Sequence, residues 1–135
     1  SYEAVRKAAT DFPSLNVTAA WWDNSWHVTV GARPLGATLL QGEACGLTGE
    51  QPSEDELRAL AASVRALSYG TNLWGSADYR RRISAPLAIQ AVRRAAGIEL
   101  SAALARELEG VQIPKFATDE YSCRRVPGVD SSEVR

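Results

Sequence analysis

Methionine is absent from this chain of 135 residues, and histidine occurs once, at position 27. A single histidine excludes metal sites that need two, and it leaves no spare base for a serine nucleophile. The two cysteines, Cys45 and Cys123, form no Cys-x-x-Cys pair, which argues against zinc or an iron–sulfur cluster in this chain and favours reduced thiols. We therefore predict no metal-binding residue. Because a gene product normally begins with methionine, we expect a fragment or processed chain, with Ser1 left by cleavage or by a tag.

Long apolar runs and an excess of one charge are lacking as well. No stretch of about 18 residues is apolar and no charged-then-apolar leader is present, so we expect a soluble, cytoplasmic protein without a membrane partner. The formal net charge of -1 removes the broad positive field that binding to a phosphate backbone requires, so nucleic acid is not an expected partner. With 45% hydrophobic and 23% charged residues, the composition is typical of one globular domain.

Two β-strands are indicated in the first third of the chain. Residues 15–22 are rich in β-branched and aromatic types, and residues 25–30 alternate in polarity. The Asp-Asn dipeptide between them tolerates positive φ, which predicts a hairpin. A short third strand is weakly indicated near Arg33–Leu35, and a short helix is favoured for residues 37–45.

A first helix is predicted from Ser53, because Ser53 and Glu56 have the spacing of a capping box. The apolar residues that follow repeat at helical spacing: Leu57, Leu60, Val64 and Leu67. Gly70 is placed to end this helix in a left-handed conformation.

Ser76 caps a second predicted helix, whose apolar stripe consists of Tyr79, Ile83 and Leu87. Pro86 removes an amide from the interior of this helix, which typically costs about 3 kcal/mol, so we expect a kink or two abutting helices there. Gly97 ends the segment. A third, shorter helix is predicted from the repeat of Leu100, Leu104 and Leu108.

A hairpin followed by three amphipathic helices predicts an α+β fold. We expect a two-layer sandwich, in which a small antiparallel sheet is covered on one face by about three helices. Residues 1–110 would form this domain. Residues 111–135 contain Pro114, Pro127 and a polar run without periodicity, so we predict an extended or disordered tail.

No single residue or local motif indicates catalysis, and we predict no catalytic residue. His27 is expected on the exposed face of its strand, and the acidic run at Glu54–Glu56 complements the dipole of a helix start. Neither Gly-x-Gly-x-x-Gly nor Gly-x-x-x-x-Gly-Lys-Ser/Thr occurs, so those two nucleotide-binding loops are not supported. The tryptophans are interpreted as core or interface residues rather than as a stacking site for an aromatic cofactor: Trp21, Trp22, Trp26 and Trp74.

The most distinctive stretch of the chain is residues 75–82, Gly-Ser-Ala-Asp-Tyr-Arg-Arg-Arg. It resembles the Gly-Ser-Ala-Glu-Tyr-Arg-Arg signature of the C-terminal domain in the FAD-binding subunit of molybdenum hydroxylases, the group of xanthine, aldehyde and carbon monoxide dehydrogenases. Three further segments follow the order of that family: Tyr2–Phe12, Gly31–Pro34 and Glu43–Gly49. The likeness covers about residues 1–97 and implies the same α+β fold.

The resemblance implies an oxidoreductase in which this domain is not catalytic by itself. FAD would be held mostly by an upstream domain, and this domain would close one side of the flavin pocket near its first strand. Counting back from Asp11, the family's lysine position falls on Glu3, so the implied flavin-side segment is Tyr2 and Glu3, although a carboxylate accepts hydrogen bonds where an ammonium donates them. The implied partners are that upstream domain and the molybdopterin and iron–sulfur subunits or domains. Arg80 or Arg81 would offer an inter-domain ion pair.

Two other functions are compatible with the sequence. A subunit-interaction module would use the tryptophan hairpin and the tail as contact surfaces without touching flavin. A divergent small-molecule-binding domain would contain a ligand-sized apolar cavity between the sheet and the helices.

Overall fold

The computed structural model describes residues 1–109, which form a four-stranded antiparallel sheet and three α-helices. The strands lie side by side in chain order: β1 (Tyr2–Val5), β2 (Leu15–Trp22), β3 (Ser25–Gly31) and β4 (Thr38–Gln41). The helices are α1 (Glu54–Arg65), α2 (Ala77–Ala96) and α3 (Ala102–Glu109), and a 3-10 turn spans Gly42–Ala44. The predicted α+β fold is confirmed, with a larger sheet than the sequence indicated.

A two-residue turn joins β2 and β3. Asp23 and Asn24 both have positive φ, 49° and 58°, which is the conformation of a type I′ turn and matches the twist of the paired strands. Trp22 lies opposite Ser25 across this turn. The predicted hairpin is therefore confirmed, including the residues of its turn.

One face of the sheet is covered by α2, which contacts β1, β2 and β3, while α1 packs against α2. The covered face supplies much of the core: Val5, Leu15, Val17, Ala19, Trp26, Val28, Val30 and Leu40. Trp26 is fully buried, and its indole Nε1 donates to the Gly49 carbonyl at 2.8 Å, so its one polar group is satisfied. Burial of each large apolar side chain contributes roughly 1.5–3 kcal/mol. This packing, more than local propensity, holds the helices on the sheet.

The predicted start of α1 and both predicted ends of α2 are formed as the sequence suggested. Ser53 Oγ accepts from the Glu56 amide at 3.3 Å and Glu56 Oε2 accepts from the Ser53 amide at 2.8 Å, which completes the capping box. Ser76 Oγ accepts from the Tyr79 amide at 3.1 Å at the start of α2. Gly97 ends α2 in the left-handed region, at φ 67°.

The third strand was predicted at the wrong place. Arg33–Leu35 is a turn, and the strand lies at Thr38–Gln41, where a short helix was expected. Leu40 of this strand lies opposite Val28 and is buried, so pairing with β3 outweighs the local sequence. Only the 3-10 turn at Gly42–Ala44 keeps a helical character.

The predicted end of the first helix at Gly70 and the alternative of two abutting helices at Pro86 are also wrong. α1 ends at Arg65, well before Gly70, whose amide donates to the Arg33 carbonyl at 2.9 Å between two loops. A Cβ at Gly70 would meet the Pro34 Cβ at 3.1 Å, so this glycine permits a close approach of the two loops instead of capping a helix. Pro86 is buried inside α2, which runs as one helix through it, because burial of ten α2 residues offsets the lost hydrogen bond.

The predicted third helix is confirmed and packs beside α1. Leu104 of α3 is buried, and Arg58 of α1 forms an ion pair with Glu107 at 3.3 Å. None of the helices in residues 1–109 is both long and apolar enough to cross a membrane. Cys45 is a buried free thiol. The predicted tail, 111–135, and Cys123 lie outside the described residues.

Candidate functional site

Three connecting segments meet at one end of the sheet. They are the β1–β2 connection (residues 6–14), the β3–β4 connection (residues 32–37) and the α1–α2 connection (residues 66–76). Two buried arginines, Arg33 and Arg80, link these segments, and both belong to the motifs that resemble the flavoprotein family. This end of the molecule is therefore the candidate site.

Arg80 is fully buried at the start of α2. Its Nε donates to the Ser14 carbonyl at 2.7 Å, which ties α2 to the beginning of β2. Its Nη1 donates to the carbonyls of Gly70, at 2.7 Å, and Gly75, and its Nη2 donates to Asn72 Oδ1 at 2.5 Å. One guanidinium thus binds four oxygens and joins two of the three connecting segments.

The charge of Arg80 is balanced by dipoles, since all four acceptors are carbonyl or amide oxygens and no carboxylate pairs with it among residues 1–109. Desolvation by burial lowers the pKa of Arg80 from its ordinary value. The idea that Arg80 forms an inter-domain ion pair is therefore wrong, because its side chain does not reach the surface. Arg81 is exposed, lies 3.6 Å from the carboxylate of Asp78, and remains available at the surface.

Arg33 performs the same task for the third segment. Its Nε donates to the Gly36 carbonyl at 3.0 Å and its Nη2 donates to Thr38 Oγ1 at 2.5 Å, within the β3–β4 connection. Its Nη1 donates to the Ser68 carbonyl in the α1–α2 connection. Together, Arg33 and Arg80 hold the three segments in one arrangement.

The helical periodicity of the sequence by itself indicates that Arg80 is buried. Arg80 lies three and seven residues before Ile83 and Leu87, so it continues the buried stripe of α2 toward its N-terminus. A cation on an apolar stripe must bind oxygens when it is buried. Arg33 carries no such signal, because it lies in a turn.

An apolar surface covers the joined segments; we call it the loop surface. It consists of Phe12, Leu35, Leu73 and Trp74. Phe12 is 76% exposed and Leu73 91%, values that are high for large apolar side chains. The rings of Phe12 and Trp74 make an edge contact, with centroids 6.4 Å apart. A groove of about 400 Å³ runs beside Trp74 and is lined also by Leu35 and Arg33.

A second depression, which we call the β1–α2 cavity, lies on the other side of Trp74. Its volume is about 440 Å³, and it is lined by Val5, Arg6, Lys7, Ser14, Trp74, Gly75 and Tyr79. It opens between the end of β1 and the start of α2. A cavity of this size falls within the range of small-molecule sites, about 300–1,000 Å³.

The two residues implied by the resemblance, Tyr2 and Glu3, point to opposite faces of β1. Glu3 lies on the covered face at 2% exposure, and its Oε1 lies 2.9 Å from Arg94 Nη1. Desolvation raises the pKa of this carboxyl, and Arg94 opposes that shift. Tyr2 is 51% exposed on the uncovered face, where its hydroxyl accepts from Arg6 Nη2 at 3.3 Å. The two side chains therefore cannot contact the same ligand.

The uncovered side of the sheet, which we call the open face, carries its own exposed apolar residues. Tyr2, Thr18, Thr29 and Leu39 lie in one row across the four strands. Trp22 is 75% exposed at the hairpin end, far from the loop surface along β2, and lies 6.4 Å from the ring of His27. Trp21, on the opposite face, packs against Trp26 at 5.7 Å. The tryptophans are thus divided between core, open face and loop surface.

Residues 1–109 contain no group of three or more histidine, cysteine or acidic side chains arranged to hold a metal ion. No family model matches this chain, and no curated protein matches it either.

Proposed function

We propose that this chain is the C-terminal domain of the FAD-binding subunit of a molybdenum hydroxylase. In this role it closes the flavin pocket of an upstream domain and docks to its partner domains without performing a chemical step. The observation that carries the proposal is the loop surface. Its residue Phe12 lies in a family-like segment, and the surface is held in place by Arg33 and Arg80, which both belong to such segments.

The chemistry of the loop surface supports contact with a second domain. Phe12, Leu73 and Trp74 present apolar and aromatic area of the kind that dominates binding energy at interfaces. Lys7 lies beside them, donates to the Leu73 carbonyl at 3.3 Å and forms no ion pair with any of residues 1–109. Its positive charge suits a neighbour that carries a phosphorylated cofactor.

The residues present suit FAD better at the loop surface than at Glu3. A carboxylate that is buried against Arg94 does not extend to a cofactor in another domain. FAD, bound mostly by the upstream domain, would supply the redox chemistry, receiving electrons that come from the molybdenum cofactor through iron–sulfur clusters. This chain's own residues would exclude water from one side of the pocket and fix the position of the domain.

The test is flavin retention in the parent protein. Replacing both Phe12 and Trp74 by alanine should lower the FAD content per protomer and weaken the association with a separately expressed flavin-binding segment about tenfold or more, because two central aromatic contacts are lost. Absorbance of bound flavin and calorimetry measure the two effects. Trp22→Ala, at the opposite end of β2, is the matched control and should change neither.

An unchanged FAD content and affinity in the double variant would contradict the proposal. The open face favours a second candidate, a subunit-interaction module without flavin contact, because Tyr2, Trp22 and Leu39 are all more than half exposed there. In that case Trp22→Ala would weaken subunit association and leave FAD content as it was.

A further inference from the structure

The β1–α2 cavity is built to stay open. Ser14 Oγ donates to the Trp74 carbonyl at 2.7 Å, and the Ser14 carbonyl accepts from the buried Arg80, so both sides of the cavity are tied to the same guanidinium. Gly75 is needed in its wall, since a Cβ there would meet Tyr79 Cδ1 at 3.3 Å. Tyr79 is half-buried, and burial raises its pKa. The cavity is therefore a fixed feature of the folded domain.

The positive charge at the cavity wall is not balanced by an acidic side chain of residues 1–109. The Ser14 hydroxyl donates its proton to a backbone carbonyl, and Lys7 makes a single long contact, from Nζ to the Leu73 carbonyl at 3.3 Å. Arg6 donates to the hydroxyl of Tyr2 on the uncovered face, so its guanidinium points away from the cavity. None of the acidic side chains among residues 1–109 lines the cavity.

The apolar residues of the wall determine what kind of uncharged group fits the cavity. Val5, Trp74 and Tyr79 provide one aliphatic and two aromatic side chains. Aromatic walls favour a flat, apolar body, and cations that lack a carboxylate partner favour an anionic group on it. A cationic ligand would meet the like charge of Lys7, and no acidic side chain among residues 1–109 lines the cavity to offset it.

We propose that the β1–α2 cavity binds a small planar aromatic molecule that carries one anionic group, such as an aromatic carboxylate. The ring occupies the apolar wall formed by Trp74 and Tyr79, and the anion lies at the mouth, where it accepts a hydrogen bond from Lys7. This site goes beyond the proposed flavin function, since it needs neither FAD nor a partner domain.

The experiment compares two probes of the same ring and opposite charge on the whole chain. Titration of 1-naphthoate by calorimetry should give saturable binding that weakens with added salt, whereas 1-naphthylmethylamine should bind at least about tenfold more weakly, because it lacks the charge-assisted hydrogen bond. Lys7→Gln should bind the two probes alike, whereas Arg6→Gln, which removes a guanidinium from the open face, should keep the preference for naphthoate. Lys7→Glu should reverse the preference.

Two variants serve as controls. Arg82→Gln removes a cation from the exposed side of α2, outside the cavity lining, and should leave naphthoate binding unchanged. Leu35→Ser changes the neighbouring groove on the other side of Trp74 and should also leave it unchanged. Circular dichroism shows that each variant is folded.

Three results would overturn the proposal: no saturable binding at millimolar naphthoate, equal affinity for the two probes in the unaltered chain, or full affinity in the folded Lys7→Gln variant. None of them bears on FAD retention in the parent protein, so this inference and the proposed function fail separately.

Discussion

Single residues decide how the connecting segments of this protein are held together. Arg80 binds four oxygens from Ser14, Gly70, Asn72 and Gly75, which no shorter or unbranched cation can do at once. Two of these oxygens have a second donor, since the Gly75 carbonyl also accepts from the Asn72 amide and Asn72 Oδ1 accepts from the Trp74 amide. A polar group left unsatisfied in the interior costs about 1–3 kcal/mol.

The first prediction concerns this guanidinium. Arg80→Lys should lower the free energy of unfolding by about 3 kcal/mol, because the ammonium leaves at least one or two of the four oxygens without a donor. Urea unfolding followed by tryptophan fluorescence measures the change. Arg82→Lys, on the exposed side of the same helix, should stay within about 0.5 kcal/mol. Equal effects of the two variants would contradict the role of Arg80.

Two glutamates have pKa shifts of opposite direction and should respond to acid in opposite ways. Hydrogen bonds from Thr48 and Ser53 lower the pKa of Glu56 from 4.5 to about 2. Its contribution to stability is complete above the unfolded value and is lost as the pH falls from 4.5 toward 2. Glu3 has a raised pKa from desolvation, so protonation of Glu3 favours the folded state as the pH falls.

The second prediction follows from these signs. Glu56→Gln should lower the free energy of unfolding at pH 7 by about 1 kcal/mol, because a neutral amide oxygen accepts weaker hydrogen bonds from Thr48 and Ser53 than a carboxylate does, and it should flatten the decline in acid. Glu3→Gln should instead make the decline in acid steeper, since it removes the group that opposes it. Urea unfolding at several pH values measures both slopes. A parallel decline for the two variants would show that the assigned shifts are wrong.

At the scale of elements, the helix ends are specified locally while the strands depend on their neighbours. Ser53, Ser76 and Gly97 define ends of α1 and α2 by hydrogen bonds or backbone conformation within a few residues. β4, in contrast, exists because residues 38–41 pair with β3. Its sequence has no alternation strong enough to distinguish it from a short helix.

The third prediction compares two glycines that both have room for a Cβ atom but differ in backbone conformation. Gly97 has φ 67° and Gly36 does not lie in the left-handed region, and an added Cβ meets nothing within 4 Å at either. Gly97→Ala should therefore destabilise the domain by about 1 kcal/mol through the backbone alone. Gly36→Ala should be neutral or stabilise it by about 0.4–1 kcal/mol. Thermal unfolding of both variants tests this, and equal shifts in Tm would contradict it.

At the scale of the whole molecule, the α+β class, the hairpin and the three helices were accessible from the sequence, because each has a local signal: the Asp-Asn turn, the caps and the leucine spacing. The break expected at Pro86 was not formed, because the burial of α2 is a property of the assembled fold. The loop surface and the cavity were also inaccessible. Both arise where segments distant in sequence meet. The periodicity of α2 indicates that Arg80 is buried, but the backbone carbonyls that Arg33 and Arg80 bind leave no mark on side-chain patterns.

The paired arginines have a kinetic consequence for anything that arrives at this end of the protein. The α1–α2 connection is held by both guanidiniums, because the Ser68 carbonyl accepts from Arg33 and the Gly70 carbonyl accepts from Arg80. Moving this connection away would break both sets of hydrogen bonds. The conformational entropy of the three connecting segments is therefore lost when the chain folds, and it is not lost again at each binding event. An approaching domain or ligand would meet a surface that is already ordered. We expect the lifetime of the complex to depend on the contacts between the two partners rather than on the closure of a loop.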